Sequence, residues 1–183
     1  MRYMAFIAYI AAIVAANWAI DAVGPDGIPV GFGLRAPGGV LFAGLVFTFR
    51  NLTQQSLGRR FGFLAIAIGA LLSAVISPGL NLGGPLPLPL ASGLSFAVSE
   101  TVDAGFWTYL REHRGWWTRA MFLGDLAGQV ADSALFLALA FGSVDFLIGQ
   151  IVGKQWTIWP ALALMALYRR YQGTPGRLAF TAR

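Results

Sequence analysis

Six long apolar runs, each near the length that crosses a lipid bilayer, constrain the fold of this 183-residue chain more than any other feature. A hydrocarbon core about 30 Å thick requires roughly 20 helical residues at about 1.5 Å per residue. Strands with open edges are not tolerated in lipid, and the sequence lacks the alternating pattern of a membrane barrel, so the runs predict helices. The predicted helices cover residues 3–23, 38–57, 61–80, 91–110, 118–141 and 144–168. The expected fold class is an all-α integral membrane protein, in which residues 1–183 form a single bundle of six transmembrane helices.

The composition excludes an ordinary soluble domain. Charged residues make up 11% of the chain and hydrophobic residues 57%, whereas a soluble domain has about 25% charged residues. The net charge of +5 does not indicate nucleic-acid binding, because the basic residues lie in short gaps between the apolar runs. Cysteine is absent, which excludes disulfides, thiolate catalysis and Cys-ligated metal sites. The expected partners are therefore the lipid membrane and a small molecule.

Arginines mark one side of the predicted bundle. If six helices alternate in direction, most of the basic residues fall on the side that holds both termini: Arg2, Arg50, Arg59, Arg60, Arg111, Arg114, Arg119, Arg169, Arg170, Arg177 and Arg183. The opposite side has only Arg35, and Lys154 lies inside the sixth helix. The positive-inside rule then predicts that the N and C termini are cytoplasmic.

Prolines and glycines mark the connections on the other side. Pro85, Pro87 and Pro89 remove backbone donors at alternate positions, so the fourth helix is expected to begin after them, near Ala91. Glycines at 24, 27, 31, 33, 38 and 39 indicate a long loop between the first two helices. Gly39 and Gly44 would permit close contact between helices, and glycine-rich faces would also permit a homodimer.

Polar side chains recur inside the predicted helices. An ionisable group at membrane depth costs about 2.5–3.5 kcal/mol on insertion scales, so such groups generally face a bundle interior or a cavity. They recur at helical spacing, which places them on shared faces: Asn17 in the first helix, Arg50 and Gln54 in the second, Ser99, Glu100 and Asp103 in the fourth, Asp125, Gln129, Asp132 and Ser133 in the fifth, Gln150 and Lys154 in the sixth. We expect these acids and amides to meet in one chamber shielded from water, which would be a binding site.

Several of these residues also have a purely structural interpretation. Lys154 could form an ion pair with Asp132 or with Glu100, and Asn17 could join two helices by a hydrogen bond. Arg50 could extend its guanidinium to the cytoplasmic interface. The pair Glu100 and Asp103 is harder to explain structurally, because two carboxylates on one turn need cations, protons or ligand donors nearby.

Aromatic residues give a weaker indication. Tryptophans of membrane proteins usually lie at the two interfaces, and Trp107 and Trp156 fit that pattern. Either indole could instead stack on a planar ligand. Pro160 should weaken the sixth helix one turn after Trp156, which would open a pocket or only adjust packing.

The polar elements taken together resemble the vitamin uptake transporter family, whose members are queuosine precursor transporters. The resemblance rests on the segment 50–60 that closes the second helix, Ser99-Glu100-x-x-Asp103, Gln129-x-x-Asp132-Ser133-x-x-Phe136, Lys154, and Asn17 after small residues. It extends over residues 3–170. The family usually has acids where this chain has Asn51 and Gln55, and Ser-Asn where it has Gly124-Asp125.

The resemblance implies import of a 7-deazaguanine base, such as the nitrile or aminomethyl precursor of queuosine, across the plasma membrane for salvage into tRNA modification. A deazaguanine presents a ring N–H and an exocyclic amine beside a carbonyl oxygen. A buried carboxylate such as Glu100 would accept from the two donors, and Asn17 or Gln54 would bind the carbonyl oxygen. The residues expected to bind substrate are Asn17, Arg50, Gln54, Glu100, Asp103, Trp107, Gln129, Asp132, Lys154 and Trp156.

Two other functions remain open from the sequence. A substrate-binding subunit of an energy-coupling-factor vitamin transporter would also be a small six-helix protein, although it would require a partner ATPase. An enzyme is disfavoured, because His113 is the chain's single histidine and the sequence has neither a His-Glu-x-x-His nor a Gly-x-Ser-x-Gly motif. We therefore expect no catalytic residues, no metal site and no cofactor.

Overall fold

A computed structural model describes residues 2–24, 26–76, 80–114 and 117–171. The elements are α1 (Arg2–Val23), β1 (Ile28–Gly31), β2 (Leu34–Ala36), α2 (Val40–Leu57), α3 (Arg59–Ile76), α4 (Leu88–Arg114), α5 (Trp117–Phe141) and α6 (Leu147–Tyr171). The prediction of a helical fold with six helices is confirmed for these residues.

Three of the helices are long and apolar enough to cross a membrane, judged by length and composition: Tyr3–Val23, Arg59–Ile76 and Leu123–Phe141. They identify a membrane protein. In the same described ranges α2, α4 and α6 do not meet this measure, and these are the helices that contain Arg50, the Glu100 and Asp103 pair, and Lys154. Arg50, Glu100 and Lys154 in these three helices are nevertheless buried, with at most 2% of each residue exposed.

The start of α4 differs from the prediction. Helix α4 begins at Leu88 and includes Pro89 in its first turn, so the expectation that helix starts only after Pro89 was wrong. The first backbone N–H groups of a helix have no intrahelical acceptor, and a proline there loses no hydrogen bond. Ala91 N–H already donates to the carbonyl of Pro87 at 3.0 Å, and Leu88 N–H donates to the carbonyl of Leu80 at 2.9 Å.

The loop between α1 and α2 contains a β-hairpin that was not predicted. Strands β1 and β2 pair antiparallel around a two-residue turn, in which Phe32 has a φ of 54° and Gly33 a φ of 73°. Both central residues of a type I′ turn need positive φ, a conformation that glycine adopts easily and phenylalanine does not. The Arg35 side chain fixes the base of the hairpin by donating to the carbonyls of Asp26 and Gly27.

Helices α1, α2 and α6 approach one another closely at glycines. A Cβ at Gly39 would collide with the backbone of Ala16 in α1, and one at Gly44 would meet the backbone of Lys154 in α6. This confirms the close contacts expected at these two glycines. Helix α3 completes this group by packing against α1 and α2.

Helices α4 and α5 form a second group. They pack against each other along their length, whereas α4 reaches the first group mainly through α3, and α5 has few contacts with α6. The boundary between the α4–α5 pair and the other four helices is where the buried polar residues lie.

Candidate functional site

Arg50 forms the centre of the first polar cluster. Its side chain is 2% exposed, and it comes from the middle of α2, which directs it across the boundary towards α4 and α5. Its Nε lies 3.1 Å from Glu100 Oε1, and its Nη2 lies 3.3 Å from Asp103 Oδ2 and 2.6 Å from Asp125 Oδ1. The guanidinium thus joins three carboxylates from two helices. The guanidinium is therefore enclosed by protein side chains.

Two amide side chains complete this Arg50 cluster. Gln54 Nε2 donates to Glu100 Oε2 at 2.5 Å, and Asn51 Oδ1 accepts from Arg50 Nε and Nη2 at 3.3 Å each. Glu100 Oε2 is thus paired with Gln54, whereas Oε1 lies in the ion pair with Arg50 but has no hydrogen-bond partner among the described residues. Exposure of the side chains rises from 2% at Glu100 to 16% at Asp103 and 28% at Asp125. The cluster is closed to solvent at Glu100 and more open at the two aspartates.

Lys154 forms the centre of the second polar cluster. Its side chain is fully buried, and its Nζ lies 2.6 Å from Asp132 Oδ2 and 2.8 Å from Ser133 Oγ. Gln129, one turn before Asp132 in α5, accepts through its Oε1 from Nε2 of Gln155, the residue after Lys154, at 2.8 Å. Of the two ion pairs considered for Lys154, the structure forms the one with Asp132. These side-chain contacts join α5 to α6, two helices whose backbones have few contacts with each other.

The Arg50 cluster and the Lys154 cluster adjoin each other. The Phe47 ring lies against both cations, with 4.9 Å from its centroid to the Arg50 guanidinium carbon and 5.2 Å to Lys154 Nζ. Tyr9 of α1 is fully buried and lies close enough to Glu100, Arg50 and Asp132 to interact with all three charges. The acids and amides thus meet at two neighbouring centres instead of in one chamber.

A small internal cavity lies beside the Lys154 cluster. Its volume is about 20 Å³, which is the space of a single water molecule. Asn17, Asp132 and Gln150 contribute polar side chains to its wall, and Phe96 and Phe136 contribute aromatic rings. Each of the three polar residues has one buried atom without a hydrogen-bond partner among the described residues: Asn17 Nδ2, Asp132 Oδ1 and Gln150 Oε1. Three residues that each have an unpaired buried polar atom therefore line this cavity.

A larger groove of about 510 Å³ lies elsewhere, on the outer face of α6 next to the hairpin. Phe32, Trp156, Trp159 and Pro160 line it, and its surface is almost entirely apolar. Trp156 is 56% exposed, and its indole N–H donates to the carbonyl of Val30 at 2.9 Å. Because the groove contains none of the buried polar groups, we place the candidate site at the internal cavity and the two clusters.

The structure brings eight of the ten residues expected at the site into this region. Arg50, Gln54, Glu100 and Asp103 form the Arg50 cluster, Gln129, Asp132 and Lys154 lie in or beside the Lys154 cluster, and Asn17 borders the cavity. Trp156 lies apart from them, on the outer face of α6. The side chain of Trp107 lies outside the described residues.

Gln150 and Tyr9 are among the residues of this region that the sequence analysis missed as candidates for binding. Gln150 stands one turn before Lys154, and this spacing already placed the two side chains on one helix face. Tyr9 lies at i, i+4 and i+8 with Ile13 and Asn17, and all three side chains are at most 1% exposed. That buried stripe was the signal that could have identified Tyr9. In the described part of the chain, no group of three or more His, Cys, Asp or Glu residues could hold a metal ion.

Residues 81–170 match a family model described as "Putative vitamin uptake transporter". The matched part contains Glu100, Asp103, Asp132, Gln150 and Lys154. No curated protein matches the chain, and no solved structure does. The family that the sequence resembles is thus supported by the half of the chain that provides the acids of both clusters.

Proposed function

With residues 81–170 assigning the chain to the vitamin uptake transporter family, we propose that it imports a 7-deazaguanine-type precursor of queuosine into the cytoplasm. In this proposal the chain crosses the plasma membrane six times, with both termini in the cytoplasm. The apolar helices and the arginine-rich segments on the side of the termini support this topology.

The observation that carries the proposal is the convergence of buried polar groups with unpaired hydrogen-bonding atoms on the cavity beside the Lys154 cluster. A buried polar atom without a partner costs about 1–3 kcal/mol, so three residues with such atoms around one space favour the binding of a molecule between them. Ligand sites combine apolar and aromatic walls with a few convergent polar groups, and Phe96 and Phe136 beside Asn17, Asp132 and Gln150 have this character.

Import requires the site to change shape. The cavity of about 20 Å³ is far smaller than the roughly 300–1,000 Å³ of small-molecule sites. A base can enter only if the α4–α5 pair moves away from the other four helices. The ion pairs that cross this boundary, from Arg50 to Glu100 and from Lys154 to Asp132, would then exchange one partner for water or substrate. We therefore assign Glu100 to holding α2 against α4 in the closed state.

Reconstituted vesicles provide the test. The purified protein, in liposomes without ATP or any other protein, should accumulate radiolabelled 7-cyano- or 7-aminomethyl-7-deazaguanine, and excess unlabelled base should compete. Absence of uptake by the wild-type protein would refute the proposal. Uptake that appears only after addition of a coupling ATPase would instead indicate the binding subunit of an energy-coupling-factor transporter.

A variant tests the role of Glu100 in the same vesicles. Glu100→Gln should abolish uptake while the protein still inserts, because a neutral amide cannot hold the buried Arg50 guanidinium at 3.1 Å. Asp26→Asn is the matched control, since Asp26 is an exposed acid in the loop before the hairpin. Undiminished uptake by Glu100→Gln would contradict the role assigned to this residue.

A further inference from the structure

We infer that Asn17, Asp132 and Gln150 form a recognition site for a planar heterocycle whose edge presents a carbonyl oxygen followed by two N–H donors. The inference rests on the proposed function, because it names the hydrogen-bonding edge of the transported molecule that the protein recognises. It also moves recognition away from Glu100, which is held by the ion pair with Arg50 and by the hydrogen bond from Gln54.

The burial of the three residues makes their unpaired atoms informative. Asn17 is 1% exposed, Asp132 2% and Gln150 3%, and they come from three different helices, α1, α5 and α6. Three different helices thus each contribute a residue with an unpaired buried polar atom to the wall of one cavity. A site that is built to hydrogen-bond a ligand shows this pattern, since its polar groups are fully satisfied only when the ligand is present.

The chemistry of the three atoms selects the ligand class. Asn17 Nδ2 is a donor, whereas Asp132 Oδ1 and Gln150 Oε1 are acceptors. The complement of one donor and two acceptors is a carbonyl oxygen, a ring N–H and an exocyclic amine on one planar edge. A guanine, a 7-deazaguanine and a 2-amino-4-oxopteridine all have this edge. Adenine does not, because it would place a ring-nitrogen lone pair where the site offers an acceptor, and two acceptors repel each other.

Lys154 acts as a positioning residue for this site. Its Nζ holds Asp132 Oδ2 at 2.6 Å and also binds Ser133 Oγ at 2.8 Å. The ion pair occupies one carboxylate oxygen and leaves Oδ1 for the cavity. The aromatic rings of Phe96 and Phe136 on the cavity wall offer a flat, apolar surface to the faces of the base.

Binding of a panel of bases to the purified wild-type protein tests the inference without any mutation. The panel contains 7-cyano-7-deazaguanine, guanine and pterin, which share the full edge, hypoxanthine, which lacks the exocyclic amine, and adenine, which reverses the pattern. We expect hypoxanthine to bind at least about tenfold more weakly than guanine, the loss expected for one or two buried hydrogen bonds. Adenine should show no binding. Equal affinity for guanine, hypoxanthine and adenine would overturn the inference.

Variants then test the residues themselves. Gln150→Leu and Asn17→Leu should each weaken guanine-type binding by about tenfold. Removing an unpaired polar atom from the interior should leave the ligand-free protein at least as resistant to heat as the wild type. Ser73→Ala is the matched control, because Ser73 Oγ is also buried and unpaired but belongs to α3, outside the cavity. Equal losses in the control and in Gln150→Leu would contradict a specific site.

The panel separates failure of the inference from failure of the proposed function. If the protein takes up 7-deazaguanines but binds guanine, hypoxanthine and adenine equally well, the proposed function is supported and the recognition site is refuted. Binding of pterin or guanine without any binding of 7-deazaguanines would support the site and refute the proposed cargo. No binding of any base with the full edge would refute both.

Discussion

Removal of the Arg50 charge is the perturbation with the largest expected effect on stability. Arg50→Met keeps the length and much of the apolar stem of the side chain but leaves Glu100, Asp103 and Asp125 without their shared cation. Removal of one partner from a buried ion pair costs about 3–5 kcal/mol, because the remaining charge is left uncompensated. Glu100 accounts for most of this cost, since it is 2% exposed whereas the two aspartates reach solvent.

The assay is thermal unfolding of the purified protein in detergent, followed by tryptophan fluorescence. At roughly 2–4 °C per kcal/mol for a chain of this length, a loss of about 3–5 kcal/mol lowers the unfolding temperature by about 6–20 °C. Arg60→Met is the matched control, because Arg60 is exposed at the start of α3 and its removal should change stability by no more than about 0.5 kcal/mol.

A double variant tests the physical reason for the loss. If the uncompensated Glu100 carboxylate destabilises Arg50→Met, then Glu100→Gln in the same chain should restore about half of the lost stability, since coupled neighbours depart from additivity by about 0.5–3 kcal/mol. An unfolding temperature for Arg50→Met within about 2 °C of the wild type would refute the reasoning. A double variant less stable than Arg50→Met alone would refute the assignment of the cost to Glu100.

The remaining predictions concern single sites and use the same unfolding assay. Lys154→Met should destabilise by about 3–5 kcal/mol, because it leaves a buried carboxylate without its cation; a change below about 1 kcal/mol would show that the pair is not needed for folding. Gly149→Ala should destabilise by about 2 kcal/mol or more, because its Cβ would collide with the carbonyl of Arg35, whereas Gly105→Ala, with open space around the Cβ, should stabilise α4 by about 0.5–1 kcal/mol. Phe32→Asn should stabilise the hairpin by about 1 kcal/mol, because Phe32 is 85% exposed and has a φ of 54°; a loss of stability would show that the phenyl ring has a packing role.

The helices were predictable because their signal is local. The apolar run ending at Val23 and the one ending at Phe141 fix the limits of α1 and α5 to within a residue of their observed positions. The hairpin was not predictable in this way, since its strands contain only four and three residues. The hairpin is also held by the hydrogen bond from Trp156 to the carbonyl of Val30, and these two residues are 126 positions apart in the chain.

The sequence predicted which polar residues of the site share a buried helix face. It did not predict which cation pairs with which acid. Helical spacing places Glu100 and Asp103 on one face, and both join the Arg50 cluster. It does not determine which cation meets which acid, because that depends on the height and rotation of one helix relative to another. Lys154 had two candidate partners in the sequence, and only the packing of α5 against α6 selects Asp132.

The two groups of helices differ in what holds them, and this difference restricts how the molecule can move. At Gly39 and Gly44, α1, α2 and α6 approach through their backbones, with no room for a side chain between them. The α4–α5 pair packs on them through apolar side chains such as Phe96 and is also tied to them by charges at the tips of long side chains, which can swing and take water as a new partner. Thermal motion should therefore displace α4 and α5 together as one rigid unit. The boundary that holds the Arg50 cluster and the Lys154 cluster is the surface along which the protein can open.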